Sequence, residues 1–439
     1  MKKVLILADQ PQRASSIVML AEKLCFHFDI TILANIKIEQ PLPDRIKLID
    51  IYSPSPVSEM AKQSGKLKNL IRLLRTTSAA QFLLYVGYKS KLKKLYETVK
   101  SLIKENPDVI ITCGDRGGVG IEQVLLKYAH DNGIKVIIPY FSIISSGVKL
   151  RQLNPKPYTQ RTLFDKLVFS KYRNNPLQTD SGNLFFYDSP TTKALGEFGT
   201  LSSSPWMIGN GISDVVCADS IQGSALITES IKDPEKVTIV GDLSYDTLFA
   251  AYSNKEEILT ELSDKYGFSP ENFIIAVSVP QLYEHGILSA AEHWKEIDHL
   301  FAELGKTNAT VLLSLHPKQK YENYKDIAHK HGLFLLNEKL ASFLPVANLF
   351  IAINSSTVLW SLMCGIHSII LDLYELDNSQ FLKYDNITFI NNKLSLSGAL
   401  ATLMNKTTHD FSNDWEKLSR EFVFDGKVLE RYIDEINKL

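Results

Sequence analysis

Four short runs carry side chains suited to chemistry, and each follows an apolar stretch of strand length. In Leu313-Ser314-Leu315-His316-Pro317-Lys318, the proline disfavours helical backbone at His316 and sets the imidazole on an extended segment. There it can donate a hydrogen bond to a phosphate oxygen, with Lys318 adding a compact positive charge. A histidine that merely closes a strand is an equal reading. In Ile351-Ala352-Ile353-Asn354-Ser355-Ser356-Thr357-Val358 an amide and three hydroxyls precede a helical pattern. Such residues cap a helix by themselves, and the same hydroxyls and amides can hold a phosphate. Pro280-Gln281-Leu282-Tyr283-Glu284-His285-Gly286 offers Gln281 for recognition of a nucleotide base, and Glu284 and His285 for contact with the sugar or the nucleotide base and for acid–base work. His293 and His299 fall on the flank of the helix that follows. Ile110-Ile111-Thr112-Cys113-Gly114-Asp115-Arg116-Gly117-Gly118 places a carboxyl among glycines that let a ligand approach the backbone. Asp115 is the expected general base, with a cap or a partner for Arg116 as the plainer alternative. Arg116 and Arg13 are the expected acceptor ligands.

The elements that must hold these groups alternate strand and helix. Continuous apolar runs at 4–8, 29–33, 108–112 and 135–139, with helical periodicity at 14–24 and 121–131, describe buried parallel strands and their crossovers. A second series runs through 273–278, 310–315, 333–336, 349–353 and 368–371. Open α/β sheets bind ligands beyond the carboxyl ends of their strands, which is where all four runs lie. Two α/β domains are expected, 1–245 and 246–414, with 415–439 forming a helix able to return to the first. Residues 148–209, rich in Pro, Asn, Ser and Gly, read as irregular structure with room for short helices.

At 439 residues and 45% hydrophobic content, the chain can bury two cores. A formal net charge of −1 gives no global basis for nucleic-acid binding. Cys25, Cys113, Cys217 and Cys364 are widely spaced, without a metal or redox pair, and read as buried thiols of a cytoplasmic protein. Glu284, His285 and His293 match no metal-ligand spacing, so no metal and no cofactor are expected. Between Lys62 and Lys104 stand eleven basic residues against one acid, Glu97. Such a stretch can lie on an anionic membrane face, or form a solvated helix face over the first core.

A His-Pro pair after one strand of the second domain, followed some forty residues later by a Ser-Ser pair opening a helix, resembles bacterial GT-B glycosyltransferases that use CMP-activated acid sugars, the sialyl- and Kdo-type enzymes. The resemblance implies two Rossmann-like domains facing each other across a cleft, with His316, Ser355 and Ser356 on the nucleotide phosphate. It also implies a nucleotide-sugar donor as substrate, CMP-Kdo or CMP-sialic-acid-like, and a polysaccharide or glycolipid acceptor such as capsule or lipopolysaccharide. Residues 234–248 are similar to the interdomain crossing of GT-B enzymes and of the related UDP-N-acetylglucosamine 2-epimerases, and 424–431 to the closing segment of GT-B chains. Gly114-Asp115 is similar to a Gly-Asp segment of those epimerases, but their His-x-Glu-Ala-Gly stretch is replaced by Ile138-Pro139-Tyr140-Phe141-Ser142. That difference favours a transferase over an epimerase, and a nucleotide-sugar-binding protein without chemistry is the third reading.

Overall fold

The computed structural model describes residues 1–52, 77–140, 148–153, 155–172, 176–179, 182–316, 319–353, 355–374, 376, 378–405 and 415–439. Lys318, Asn354 and the basic residues from Lys62 to Arg75 lie outside them. The chain divides into two units, Met1–Gly241 with Leu429–Leu439, and Asp242–Val428.

In the first unit, β1 (Lys3–Ala8), β2 (Asp29–Ala34), β3 (Lys47–Asp50), β4 (Val109–Ile111) and β5 (Lys135–Ile138) join one parallel sheet. A small antiparallel hairpin, β6 (Leu177–Thr179) and β7 (Gly182–Leu184), stands apart before β8 (Val215–Ala218) and β9 (Val237–Ile239) complete the sheet. The order β3-β2-β1-β4-β5-β8-β9 reverses direction between β1 and β4. The strands at the centre are buried along nearly their whole length, which is why they read as unbroken apolar runs rather than alternating ones. The helix Ala14–Leu24 covers the sheet with Ile17, Val18, Leu20, Ala21 and Leu24.

Residues 148–209 are more ordered than their composition suggests. They hold the helices Val148–Leu153, Leu163–Lys171 and Ser189–Phe198 besides the hairpin. Two of these helices start on residues that resemble loop: Thr162 forms a capping box with Asp165, and Asp188 caps the helix that carries Pro190 in its first turn. Phe169 and Phe185 stack with ring centroids 3.7 Å apart and tie a helix to the hairpin's exit.

The second unit is a six-stranded parallel sheet of β10 (Ile274–Ser278), β11 (Thr310–Ser314), β12 (Phe334–Leu335), β13 (Leu349–Ala352), β14 (His367–Leu371) and β15 (Ile387–Ile390). Its order, β12-β11-β10-β13-β14-β15, reverses between β10 and β13. The helix Ala290–Gly305 begins on a Ser289–Glu292 capping box and buries Ile297, Leu300, Phe301 and Leu304 against Ile275, Val277 and Val311. The helix Val428–Lys438 brings the chain end back to the first unit. Lys2 Nζ donates to the carbonyls of Ile436 and Asn437 at 3.0 and 2.9 Å, and the Tyr432 hydroxyl accepts from the Tyr140 amide at 3.1 Å. All four cysteines are buried free thiols. No helix among the described residues is long and apolar enough to cross a membrane.

Candidate functional site

Three adjacent strands of the second sheet deliver the residues singled out in its loops. Ser278 at the end of β10 pairs with Ser314 at the end of β11, and Val277 pairs with Ile351 of β13. The loops carrying Gln281, Glu284 and His285, then His316, then Ser355, Ser356 and Thr357, therefore leave one sheet edge side by side, astride the reversal of strand order. Glu284 and His285 are exposed on a turn closed by the His285 amide on the Gln281 carbonyl at 3.1 Å, with Gly286 at φ +69°. Gln281 is half-buried, and its buried Oε1 has no partner among the described residues.

Gln319, which the sequence reading passed over, fastens two of these loops together. Its Oε1 accepts from the His316 amide at 2.9 Å, while its Nε2 donates to the Pro280 carbonyl at 3.1 Å and to the Tyr324 hydroxyl at 2.8 Å. Tyr324 Oη also lies 3.0 Å from His293 Nε2. His293 is thus not on a helix flank but buried, because a core tyrosine supplies its partner, and burial holds its pKa below the ordinary value. His299 borders a small cavity between Pro280, Ile353 and Tyr374.

Around Ser355 the hydroxyls bond to one another and to a local turn, and Thr357, which precedes the helix, makes no side-chain bond to a helix amide. Ser355 Oγ lies 2.7 Å from Thr357 Oγ1 and accepts from the Thr357 amide at 3.3 Å, and the Val358 and Leu359 amides turn back to the carbonyls of Ser355 and Ser356. The helix they open, Val358–Met363, has only six residues. Ser356 is the exposed hydroxyl of the three.

A second arrangement lies wholly in the first unit, beyond the ends of β1 and β4. A pocket of about 510 Å³ opens there, lined by Arg13, Arg116, Gly117, Glu122, Arg151 and Tyr158 among others. It brings together Arg13 and Arg116, the two expected acceptor ligands. Arg13 Nη1 donates to the Cys113 carbonyl at 2.6 Å and Arg116 Nη1 to the Trp206 carbonyl at 2.8 Å. Arg151 was missed because it stands in the segment read as irregular. Its Nε donates to the Phe186 carbonyl at 2.6 Å, and its guanidinium carbon lies 3.6 Å from the centroid of that ring.

Asp115 is not on this wall. It is 1% exposed, and its carboxyl accepts from the Gly209 and Gly211 amides, with Oδ2 at 3.0 and 2.7 Å. A Cβ on Gly211 would come within 2.6 Å of the Asp115 carbonyl oxygen, so the loop can dock this closely only with glycine there. Burial pushes the Asp115 pKa up and the two amides pull it partly back. In this geometry the carboxyl expected to be the general base faces a backbone loop rather than solvent, and it anchors that loop. Nor is it the helix cap, since the helix Ile121–Asn132 starts from Gly120.

Glu122, in the first turn of that helix, borders the pocket, as does Asp188. Its Oε1 accepts from the Gly117 amide at 2.6 Å, and a Cβ on Gly117 would lie 2.5 Å from the same oxygen. Burial, with Asp9 adding repulsion, pushes its pKa up to about 8. Its position one helical start beyond a Gly-rich loop was the available signal.

The helix Ser78–Leu102 buries Tyr85, Leu92 and Val99, spaced by seven, in the first core. Lys89 pairs with Glu197 at 2.8 Å and Lys91 reaches the Val119 carbonyl at 3.3 Å, whereas Lys93 and Lys94 are exposed. Phe82, Leu83, Leu163 and Leu167 are also exposed, at 50% to 69%. No group of three or more His, Cys, Asp and Glu suited to a metal occurs among the described residues.

No family model matches the sequence, and no curated protein matches it. Solved structures do resemble it in fold. The wall teichoic acid polymerase TagF, as an H444N variant soaked with CDPG, has 12% identity and a TM-score of 0.51, over 100% of this chain and 88% of its own. A UDP-GlcNAc 2-epimerase from Neisseria meningitidis, bound to UDP-GlcNAc, has 13% identity and a TM-score of 0.50 over 100% of both chains. A putative UDP-N-acetylglucosamine 2-epimerase from Listeria monocytogenes gives 13% and 0.50, over 99% of this chain and 96% of its own. The likeness establishes the GT-B type of fold with two Rossmann-like domains. None of these three is a CMP-sugar transferase.

Proposed function

We propose that the chain is a glycosyltransferase that moves a sugar from a nucleotide-sugar donor, CMP-Kdo or CMP-sialic-acid-like, to a surface polysaccharide or glycolipid. The observation that supports this most is the gathering of Gln281, Glu284, His285, His316 and Ser356 on three neighbouring strands at the reversal of the second sheet, the place where α/β sheets take nucleotides. In this reading His316 and Lys318 hold the donor phosphate, Asn354, Ser355, Ser356 and Thr357 line it, and Gln281 meets the base. Glu284 and His285 face the sugar, and Arg13 and Arg116 the acceptor. The bond from the anomeric carbon to phosphate breaks as the acceptor oxygen bonds to that carbon. Glu122, in place of Asp115, takes the hydroxyl proton, its raised pKa suiting proton transfer near neutral pH.

Thermal shifts of the whole chain with CMP, CDP, UDP and GDP test the donor, since a ligand bound only to the folded state raises its stability. His316→Ala should weaken binding of the preferred nucleotide by about 1.5–3 kcal/mol, roughly 10- to 150-fold, with the fold intact. Gln319→Ala, which keeps the imidazole but releases its loop, should give a smaller loss. Unchanged affinity in His316→Ala would remove this edge from the donor site.

The second reading, a UDP-GlcNAc 2-epimerase, draws on the full-length likeness to the Neisseria enzyme. Conversion of UDP-GlcNAc with no acceptor present would decide for it. We also propose that the exposed Lys93, Lys94, Phe82 and Leu83 touch an anionic membrane face. Replacing both lysines by glutamine should lower binding to phosphatidylglycerol vesicles roughly tenfold or more, most strongly at low salt. Equal binding by variant and parent would leave the helix as a solvated face.

A further inference from the structure

We propose that the pocket of the first unit recognises an oxyanion borne on a sugar, a phosphate ester or a carboxylate, held by Arg13, Arg116 and Arg151. The inference rests on reading that unit as the acceptor side, and it assigns the acceptor's chemical class. Three guanidiniums converge on one pocket from three separate parts of the chain: the loop after β1, the loop after β4 and the helix Val148–Leu153. Each is oriented by a backbone carbonyl, of Cys113, Trp206 and Phe186 respectively. A guanidinium presents five N–H donors in a planar fork, so a carbonyl at one corner fixes the plane in which an oxyanion can be met. Their planar forks match carboxylate and phosphate geometry in a way a lysine ammonium does not.

Other properties of the wall agree. Tyr158, Phe186 and Tyr187 also line the pocket, and the Arg151 and Arg116 guanidinium carbons lie 3.6 and 5.8 Å from the Phe186 ring centroid. Two carboxyls also border the pocket, Glu122, whose pKa burial pushes up to about 8, and Asp188, whose Oδ1 accepts from the Thr191 amide at 3.0 Å, so the three guanidiniums outnumber them. A volume of about 510 Å³ suits one or two sugar residues, which makes the ligand the acidic end of a longer acceptor rather than its length.

The test is calorimetric titration of the full chain with glucose, glucose 6-phosphate and glucuronate. At least one charged sugar should bind about tenfold or more tightly than glucose, and the stronger of the two identifies the oxyanion. Arg151→Gln and Arg116→Gln should each cut that preference about tenfold, while circular dichroism and the nucleotide-induced thermal shift stay as in the parent. Charged sugars that bind no better than glucose, or a preference that survives in both variants, would overturn the proposal. Should the variants fail to fold, the comparison of the three sugars on the parent chain decides. A nucleotide shift without any preference for charged sugars defeats this inference and leaves the transferase reading. The preference without any nucleotide shift does the reverse.

Discussion

Asp115→Ala should cost the first unit about 2–5 kcal/mol of stability in a urea titration, and Asp115→Asn about half as much, while the folded fraction of the Asn variant keeps its turnover within roughly threefold. The reason is the direction in which the carboxyl points. Alanine leaves the amides of Gly209 and Gly211 buried without their acceptor, and each such group costs its desolvation. Asparagine keeps one oxygen for them. A general base would show the opposite pattern, a folded and stable Asn variant whose turnover falls about 10²–10⁴-fold. Transfer assays beside the urea curves separate the two, and the second pattern would restore Asp115 to the mechanism.

Glu122→Gln is expected to reverse that division of effects. Glutamine preserves the acceptor for the Gly117 amide but cannot take a proton, so turnover should drop about 10²–10⁴-fold. The stability change has a sign fixed by the raised pKa. The folded chain holds this proton up to about pH 8, whereas the unfolded chain loses it near the ordinary value of 4.5. The stability that the protonated carboxyl contributes is therefore complete below the lower value and is lost as the pH rises through the upper one. Glutamine stays neutral throughout. Urea midpoints of parent and variant should be close at about pH 5 and diverge by about pH 9, the variant being the more stable. Parallel profiles would mean that Glu122 is not protonated in the folded chain near neutrality.

The strand–helix alternation was legible because buried parallel strands leave unbroken apolar runs, as β1, β10, β11 and β13 do. The loops that end those runs were legible for the same reason, which is how His316 and Gln281 were found. Residues 148–209 hid their helices because Thr162 and Asp188, which start two of them, are also the residues of turns. The Thr-x-x-Asp spacing at 162–165 was nevertheless a readable start signal. The anchoring contact of Asp115 was illegible for another reason. Its partners Gly209 and Gly211 stand nearly a hundred positions further along the chain, and no local pattern announces such a contact. Gln319 and Arg151 were invisible for the same cause. Their importance lies in partners thirty-five or more residues away, Pro280 and Phe186.

The chain starts and ends in the same unit, and that ordering governs how it can be made. A ribosome releases β1 ahead of the other strands of its sheet, all of which follow by residue 241. Tyr432 and Ile436, both fully buried, arrive only with the helix Val428–Lys438. Until then the carbonyls that meet Lys2, and the hydroxyl that meets the Tyr140 amide, do not yet exist outside the exit tunnel. The second unit, encoded entirely between 242 and 428, can close on itself earlier. Closure of the first unit therefore waits for residues 429–439, and a nascent chain stalled before residue 429 carries a finished second unit and an unsealed first one.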